Sequence, residues 1–147
     1  MAIKRNATAV WNGTGLEGKG ILQTANKFFD NTPYSTKNRF ENEDGKLGTN
    51  PEELIAAAHA GCFTMALSFS ITQAGFTPDE LKTQASVILE KINDGFEITG
   101  INLVLEGKVA GLSESQFIEL ANGAKVGCPI SKALSAVNIT LEAKLIS

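Results

Sequence analysis

The chain has 147 residues, a net charge of −3, 43% hydrophobic and 20% charged residues, an ordinary globular composition that supplies no basic field for nucleic acid. That length buries about 68 to 70% of the unfolded surface in one core without disulfide staples, so residues 1–147 read as one domain. Met1-Ala2-Ile3-Lys4-Arg5 has no apolar signal stretch and the longest apolar segment is interrupted by Glu53, His59, Ser68 and Ser70, so no membrane partner is expected and the expected compartment is cytoplasmic.

Residues 3–11 alternate loosely and residues 19–25 form a second extended run, which predicts a β-hairpin around Asn12-Gly13-Thr14-Gly15-Leu16-Glu17-Gly18. The loop spells Gly13-x-Gly15-x-x-Gly18, but no helix follows it and no βαβ unit can be drawn around it, so the dinucleotide reading is weak. Phe28, Phe29, Tyr34 and Phe40 crowd an otherwise irregular stretch around Asn31-Thr32-Pro33, which is expected to lie on an apolar surface. Residues 41–49, acidic and glycine-containing with Leu47 as the large apolar residue, read as a mobile connector.

The chain is organised around residues 50–75, which read as one long helix. Asn50, Pro51 and Glu53 suit N-cap, N1 and N3, and Gly75 suits C′. Between them the residues are apolar or small on nearly every face, which predicts a helix buried all round, and its Ala/Gly run suits a dimer seam. Thr77-Pro78-Asp79-Glu80 reads as a helical turn. Residues 84–92 and 96–109 read as strands joined by Asn93-Asp94-Gly95, with a bulge near Gly100 where the apolar parity switches. Ser113 with Gln116 caps a helix to about Lys125, and Pro129 opens a short one to about Leu134 with Cys128 as N-cap. Residues 137–145 alternate as a half-buried strand.

The cysteines are Cys62 and Cys128, too few for a disulfide scaffold. Cys62, inside the apolar helix, reads as a core filler on its own. Cys128 falls where unpaired helix amides and the helix dipole favour a thiolate. A cysteine that attacks a peroxide must be ionised, and a thiol of pKa about 8.5 is only a few per cent ionised at pH 7. Making the thiol a hundredfold more acidic takes roughly 2.7 kcal/mol, within reach of one close guanidinium in a partly desolvated pocket. The arginines are Arg5 and Arg39. Arg39, between Tyr34 and Phe40, is the candidate, with Glu52 or Glu53 as the carboxylate that fixes its fork. The plainer reading makes Arg39 a surface charge and the two acids a helix cap.

Glu52 stands ten residues before Cys62, about 15 Å along an unbroken helix. Either that helix breaks, or a second copy of the chain completes the site, which a two-fold dimer does twice. His59 shares a helix face with Cys62 and permits a Cys–His nucleophile pair, though no orienting acid is identifiable. Two cysteines and one histidine form no recognised ligand spacing, so no metal or other cofactor is expected.

Asn38-Arg39-Phe40-Glu41, Thr49-Asn50-Pro51-Glu52-Glu53-Leu54-Ile55, Ala57-x-His59-Ala60-x-Cys62-Phe63-x-Met65-Ala66-Leu67-Ser68, Ala74-Gly75-Phe76-Thr77-Pro78 and Lys125-x-Gly127-Cys128-Pro129-x-Ser131 together resemble the osmotically inducible protein C and organic hydroperoxide resistance family, closer to the osmotically inducible branch. The resemblance runs essentially full length and departs at Gly61, where alanine is common, and in the length of the connector after Arg39. It implies an α+β fold, an intertwined homodimer with antiparallel sheets packed around long central helices. It also implies a thiol-dependent peroxidase that reduces organic hydroperoxides to alcohols, without a cofactor. By position Cys62 resembles the peroxidatic cysteine, Cys128 the resolving one, Arg39 the activating arginine and Glu52 its carboxylate partner. Cys62 would become a sulfenic acid, condense with Cys128, and be reset by an external dithiol, in the family often a lipoyl protein. The competing readings are a non-catalytic thiol redox sensor and a small-molecule-binding dimer.

Overall fold

The computed structural model describes residues 1–42 and 48–147, so part of the expected connector at 41–49, including Leu47, lies outside the described residues. The chain divides into two compact units, Met1–Leu54 and Ile55–Ser147.

In the first unit, β1 (Ala7–Asn12), β2 (Lys19–Thr24) and β3 (Thr32–Tyr34) form an antiparallel sheet in that order. The hairpin is as expected; β3 and the short helix α1 (Thr36–Phe40) fall in the stretch read as irregular. α1 forms because the Ser35 side chain accepts from the Asn38 amide at its N-cap, a signal hidden by the brevity of the helix. In the glycine-rich loop the Gly18 amide donates to Thr14 O at 2.8 Å, so the triplet closes a turn between β1 and β2 instead of opening a helix. The aromatic stretch does not lie wholly on an apolar surface. Phe28 is 79% exposed and touches Phe29 edge-on, while Trp11 and Tyr34 pack at 5.5 Å.

The long helix α2 (Pro51–Gln73) is unbroken and runs across the division between the units. Its first turn is capped as its residues dictate, with Asn50 Oδ1 accepting from the Glu53 amide at 2.8 Å. Glu53 does not reach back to the cap amide; its carboxylate accepts from the Thr49 hydroxyl. At the other end Gly75, at φ +93°, donates to Thr72 O, and the Phe76 amide donates to Ile71 O, the paired closure that a left-handed C′ residue permits.

In the second unit, β4 (Pro78–Ile92), β5 (Gly95–Val109) and β6 (Asn138–Leu145) form a sheet in that order. The expected helical turn at Thr77–Glu80 is corrected: β4 begins at Pro78 and pairs with Val109, because sheet pairing outcompetes one marginal turn. The β4–β5 hairpin turns at Asn93, which takes the positive φ of 55°. The register shifts between Ile88 and Leu89, opposite Gly100 and Ile98, leaving Thr99 as the extra residue of the expected bulge. β6 runs parallel to β5, which corrects the expectation of wholly antiparallel sheets. The helices α3 (Glu114–Gly127) and α4 (Pro129–Ala133) supply the long crossover that parallel pairing requires.

The core of this unit joins Phe63, Leu67 and Ile71 of α2, Ile101, Leu103, Leu105 and Val109 of β5, and Phe117, Ala121 and Ala124 of α3. Gly107 sits under the Phe117 ring, which a Cβ there would strike. The expectation that α2 is buried on every side is corrected within one chain. His59, Phe63, Leu67 and Ile71 form a buried stripe at four-residue spacing, while Met65 and Phe69 remain 64% and 66% exposed. By length and composition α2 is also apolar enough to cross a membrane. The polar residues expected to interrupt it are outweighed by the apolar ones around them, which corrects that expectation; its buried stripe belongs to the core.

Candidate active site

In the first unit, α1 presents Arg39 and the first turn of α2 presents Glu52. Arg39 Nη2 donates to Glu52 Oε1 at 2.5 Å, and Nε lies 3.1 Å from both carboxylate oxygens. This fork resolves the choice between the two glutamates, since Glu53 is engaged by Thr49. The Glu52 side chain is 12% exposed and that of Arg39 36%, so the ions keep contact with water on the arginine side. The guanidinium also lies 5.4 Å from the Phe40 ring centroid. Trp11, Tyr34, Ser35, Thr36, Phe40 and Pro51 line a cavity of about 100 Å³ beside Arg39.

In the second unit, α2 presents Cys62 and the junction of α3 and α4 presents Cys128. Both thiols are free, and they interact with each other. Cys62 is half-buried and Cys128 fully buried, the reverse of reading Cys62 as the core filler. Cys128 is the N-cap of α4, as expected. Its Sγ accepts from the Ser131 amide at 3.3 Å and from the Ser131 hydroxyl at 3.5 Å.

These contacts divide the two thiols. Burial pushes Cys62 up from its ordinary value, and the neighbouring Cys128 side chain and the charge there push the same way, against the Ile130 backbone. Burial also pushes Cys128 up, but the Ser131 hydroxyl, then Cys62, then the Ser131 and Ile130 amides outweigh it and bring the thiol below its ordinary value. Of the two thiols, Cys128 is therefore the one its surroundings favour as the thiolate. Hydrogen bonds to the charged form of a thiol act in this direction.

His59 does not form the pair with Cys62 that its helix position allowed. Its Nε2 lies 2.8 Å from Ser131 Oγ. Nδ1 is buried without a hydrogen-bond partner, and burial lowers the ring's pKa. Ser131 was part of the matched motif but carried no role in the sequence reading. The signal available there was its place three residues after an N-cap, where a backbone amide meets the cap side chain. Among the described residues no cluster of three metal-ligating side chains occurs. A groove of about 750 Å³ runs between Ala60, Gly61, Thr64, Met65 and Ser68 of α2 and the start of β4, and neither cysteine lines it.

Residues 43–142 match the family model described as OsmC-like protein. The chain is 46% identical over 145 residues to the peroxiredoxin OsmC of Escherichia coli, covering 99% of each chain. It is 38% identical over 104 residues to the organic hydroperoxide resistance protein OhrB of Bacillus subtilis, covering 69% of this chain and 74% of that one. The crystal structure of OhrB superposes with a TM-score of 0.71 at 27% identity, over 95% of this chain and 97% of that one. An OsmC-like protein from Mycoplasma pneumoniae shares the fold, with a TM-score of 0.79 at 19% identity over the whole of both chains. The family model and the full-length relative show that the chain belongs to the OsmC-like family.

Proposed function

We propose that the protein is a thiol-dependent peroxidase that reduces organic hydroperoxides to alcohols in defence against oxidative and osmotic stress. The observation that carries this reading is the meeting of two free thiols from distant parts of the sequence, in a chain nearly half identical to a peroxiredoxin over its full length. In the scheme, Cys62, whose thiol its surroundings in the single chain hold above its ordinary value, ionises when a guanidinium stands beside it and attacks a peroxide oxygen. An S–O bond forms, the O–O bond breaks, and the alkoxide takes a proton and leaves as the alcohol. Cys128 then attacks the Cys62 sulfenic acid, an S–S bond replaces the S–O bond, and water departs. An external dithiol, of which a lipoyl protein is one kind, is oxidised as it reopens the disulfide.

The Arg39–Glu52 fork supports a specific role: a guanidinium with one edge held by a carboxylate presents its remaining N–H groups to the oxygen that leaves with negative charge. The small cavity beside it, bounded by Trp11, Tyr34 and Phe40, fits the apolar part of an organic hydroperoxide better than hydrogen peroxide. The reading requires the guanidinium beside Cys62 in the assembled homodimer. The exposed Gly61, Met65 and Phe69 face of α2 supplies apolar surface for that seam. A cytoplasmic, reducing compartment suits a thiol that must be recycled.

With an organic hydroperoxide and a dithiol donor, Cys62→Ser should lose all multiple turnover. Cys128→Ser should retain one sulfenylation per protomer and recycle poorly. Persistent turnover in Cys62→Ser removes the proposal. Peroxide consumption that stops at one equivalent per protomer in the native chain, despite excess dithiol, would instead make it a sensor.

A further inference from the structure

The buried chain of contacts from His59 through Ser131 to Cys128 has no part in the scheme above. The Ser131 hydroxyl has one proton. Its contact with Cys128 Sγ uses that proton, so the 2.8 Å contact with His59 Nε2 is satisfied only if the ring donates. The opposite tautomer would leave Nδ1–H as a buried donor with no partner, and orphaned buried N–H groups are rare. The direction is therefore His59 Nε2–H to Ser131 Oγ–H to Cys128 Sγ.

Resting on the peroxidase reading, we propose that His59 is a positioning residue. By holding the Ser131 hydroxyl it makes Cys128 the sulfur that attacks oxidised Cys62 and the sulfur that leaves when a dithiol reopens the disulfide. In the first step the Cys128 electron pair forms the S–S bond and hydroxide leaves Cys62, taking a proton to become water. In the second, a thiolate of the dithiol attacks Cys62 Sγ, and the electrons of the broken S–S bond go to Cys128 Sγ. The second thiol of the dithiol then closes on the first and releases Cys62, so the dithiol leaves as a disulfide. A donor aimed at Cys128 favours both steps, since attack needs a thiolate and a better-stabilised thiolate leaves faster. The titratable groups near this sulfur are Cys62 and His59 on α2. Of the lysines on the helices flanking it, Lys125 donates to Ile139 O and Lys132 is exposed. On β5 the buried residues Ile101, Leu103 and Leu105 are apolar.

The test follows thiolate absorbance near 240 nm against pH in the full chain carrying Cys62→Ser, with Cys62→Ser/Cys128→Ser as blank; this readout needs no reagent access to a buried sulfur. Adding Ser131→Ala or His59→Leu should lower the thiolate fraction near neutral pH by about tenfold, the change that one pKa unit makes. His59→Gln, whose amide N–H can replace Nε2–H, should restore most of it. With Cys62 present, the same Ser131→Ala change should prolong the dimedone-trappable sulfenic acid after one equivalent of organic hydroperoxide. An unmoved titration in Ser131→Ala overturns the relay, and equal shifts in His59→Leu and His59→Gln reduce His59 to packing. If His59→Leu does not fold, Ser131→Ala and His59→Gln still decide. If the native chain forms no Cys62–Cys128 bond with peroxide, the peroxidase reading fails while the absorbance result stands by itself.

Discussion

Arg39 and Glu52 meet as ions at a half-exposed surface, whereas Cys62 and Cys128 meet in an apolar core with a hydroxyl, an imidazole and backbone amides around them. The difference follows from what burial does to charge. An ion pair left partly in water keeps much of its solvation, and the bidentate geometry fixes direction more than it adds stability. A charge placed on sulfur inside the core has lost its water, so each hydrogen bond that reaches it matters more. The first region can therefore present a permanent charge, and the second can choose which of two sulfurs is ionised.

The largest effect that would break this comparison is expected on the clamp. Arg39→Ala should lower kcat/KM for an organic hydroperoxide by about 100- to 1,000-fold, the loss typical of one preorganised oxyanion donor. Glu52→Gln should cost less, because the guanidinium survives with a looser fork. Raising the salt concentration should slow the native chain and leave Arg39→Ala nearly unmoved. If Arg39→Ala retains native kcat/KM, the clamp has no part in the chemistry.

A smaller effect should come from the cap beneath the clamp. Asn50→Ala removes the acceptor for the Glu53 amide and should cost about 1 kcal/mol in urea unfolding. It loosens the turn that carries Glu52, so kcat/KM should fall while the thiolate titration stays in place. A titration that moved with it would show the two regions to be one electrostatic unit.

The smallest effect concerns pH and the buried ring. Burial holds the folded pKa of His59 below its unfolded value. The neutral ring is thus the form that folding favours. Its contribution is present above about pH 6.5 and is lost as pH falls from there through the folded value. The urea midpoint of the native chain should fall between pH 7.5 and pH 5.5, and His59→Gln should flatten that slope. An identical slope in the variant would assign the acid sensitivity to other groups.

What the sequence by itself determined is what depends on near neighbours along the chain. The caps at Asn50, Ser113 and Cys128, the Gly75 closure, the β4–β5 hairpin and the bulge beside Gly100 are set by side chains a few residues from the backbone they serve. The family resemblance paired residues that are distant along the chain, Arg39 with Glu52 and Cys62 with Cys128, and each pair lies together in the fold. Tertiary structure alone decided that β6 lies parallel to β5, because strand direction depends on where the α3–α4 crossover delivers the chain. It also turned Thr77–Glu80 from helix into strand and left one face of α2 open within a chain whose hydropathy predicted burial all round. His59 shows the limit most plainly. Its spacing pointed to Cys62 on the same helix, but its nitrogen bonds to Ser131, 72 residues away. A buried polar group takes whichever partner the packed core brings within hydrogen-bond distance, and spacing along one helix does not carry that information.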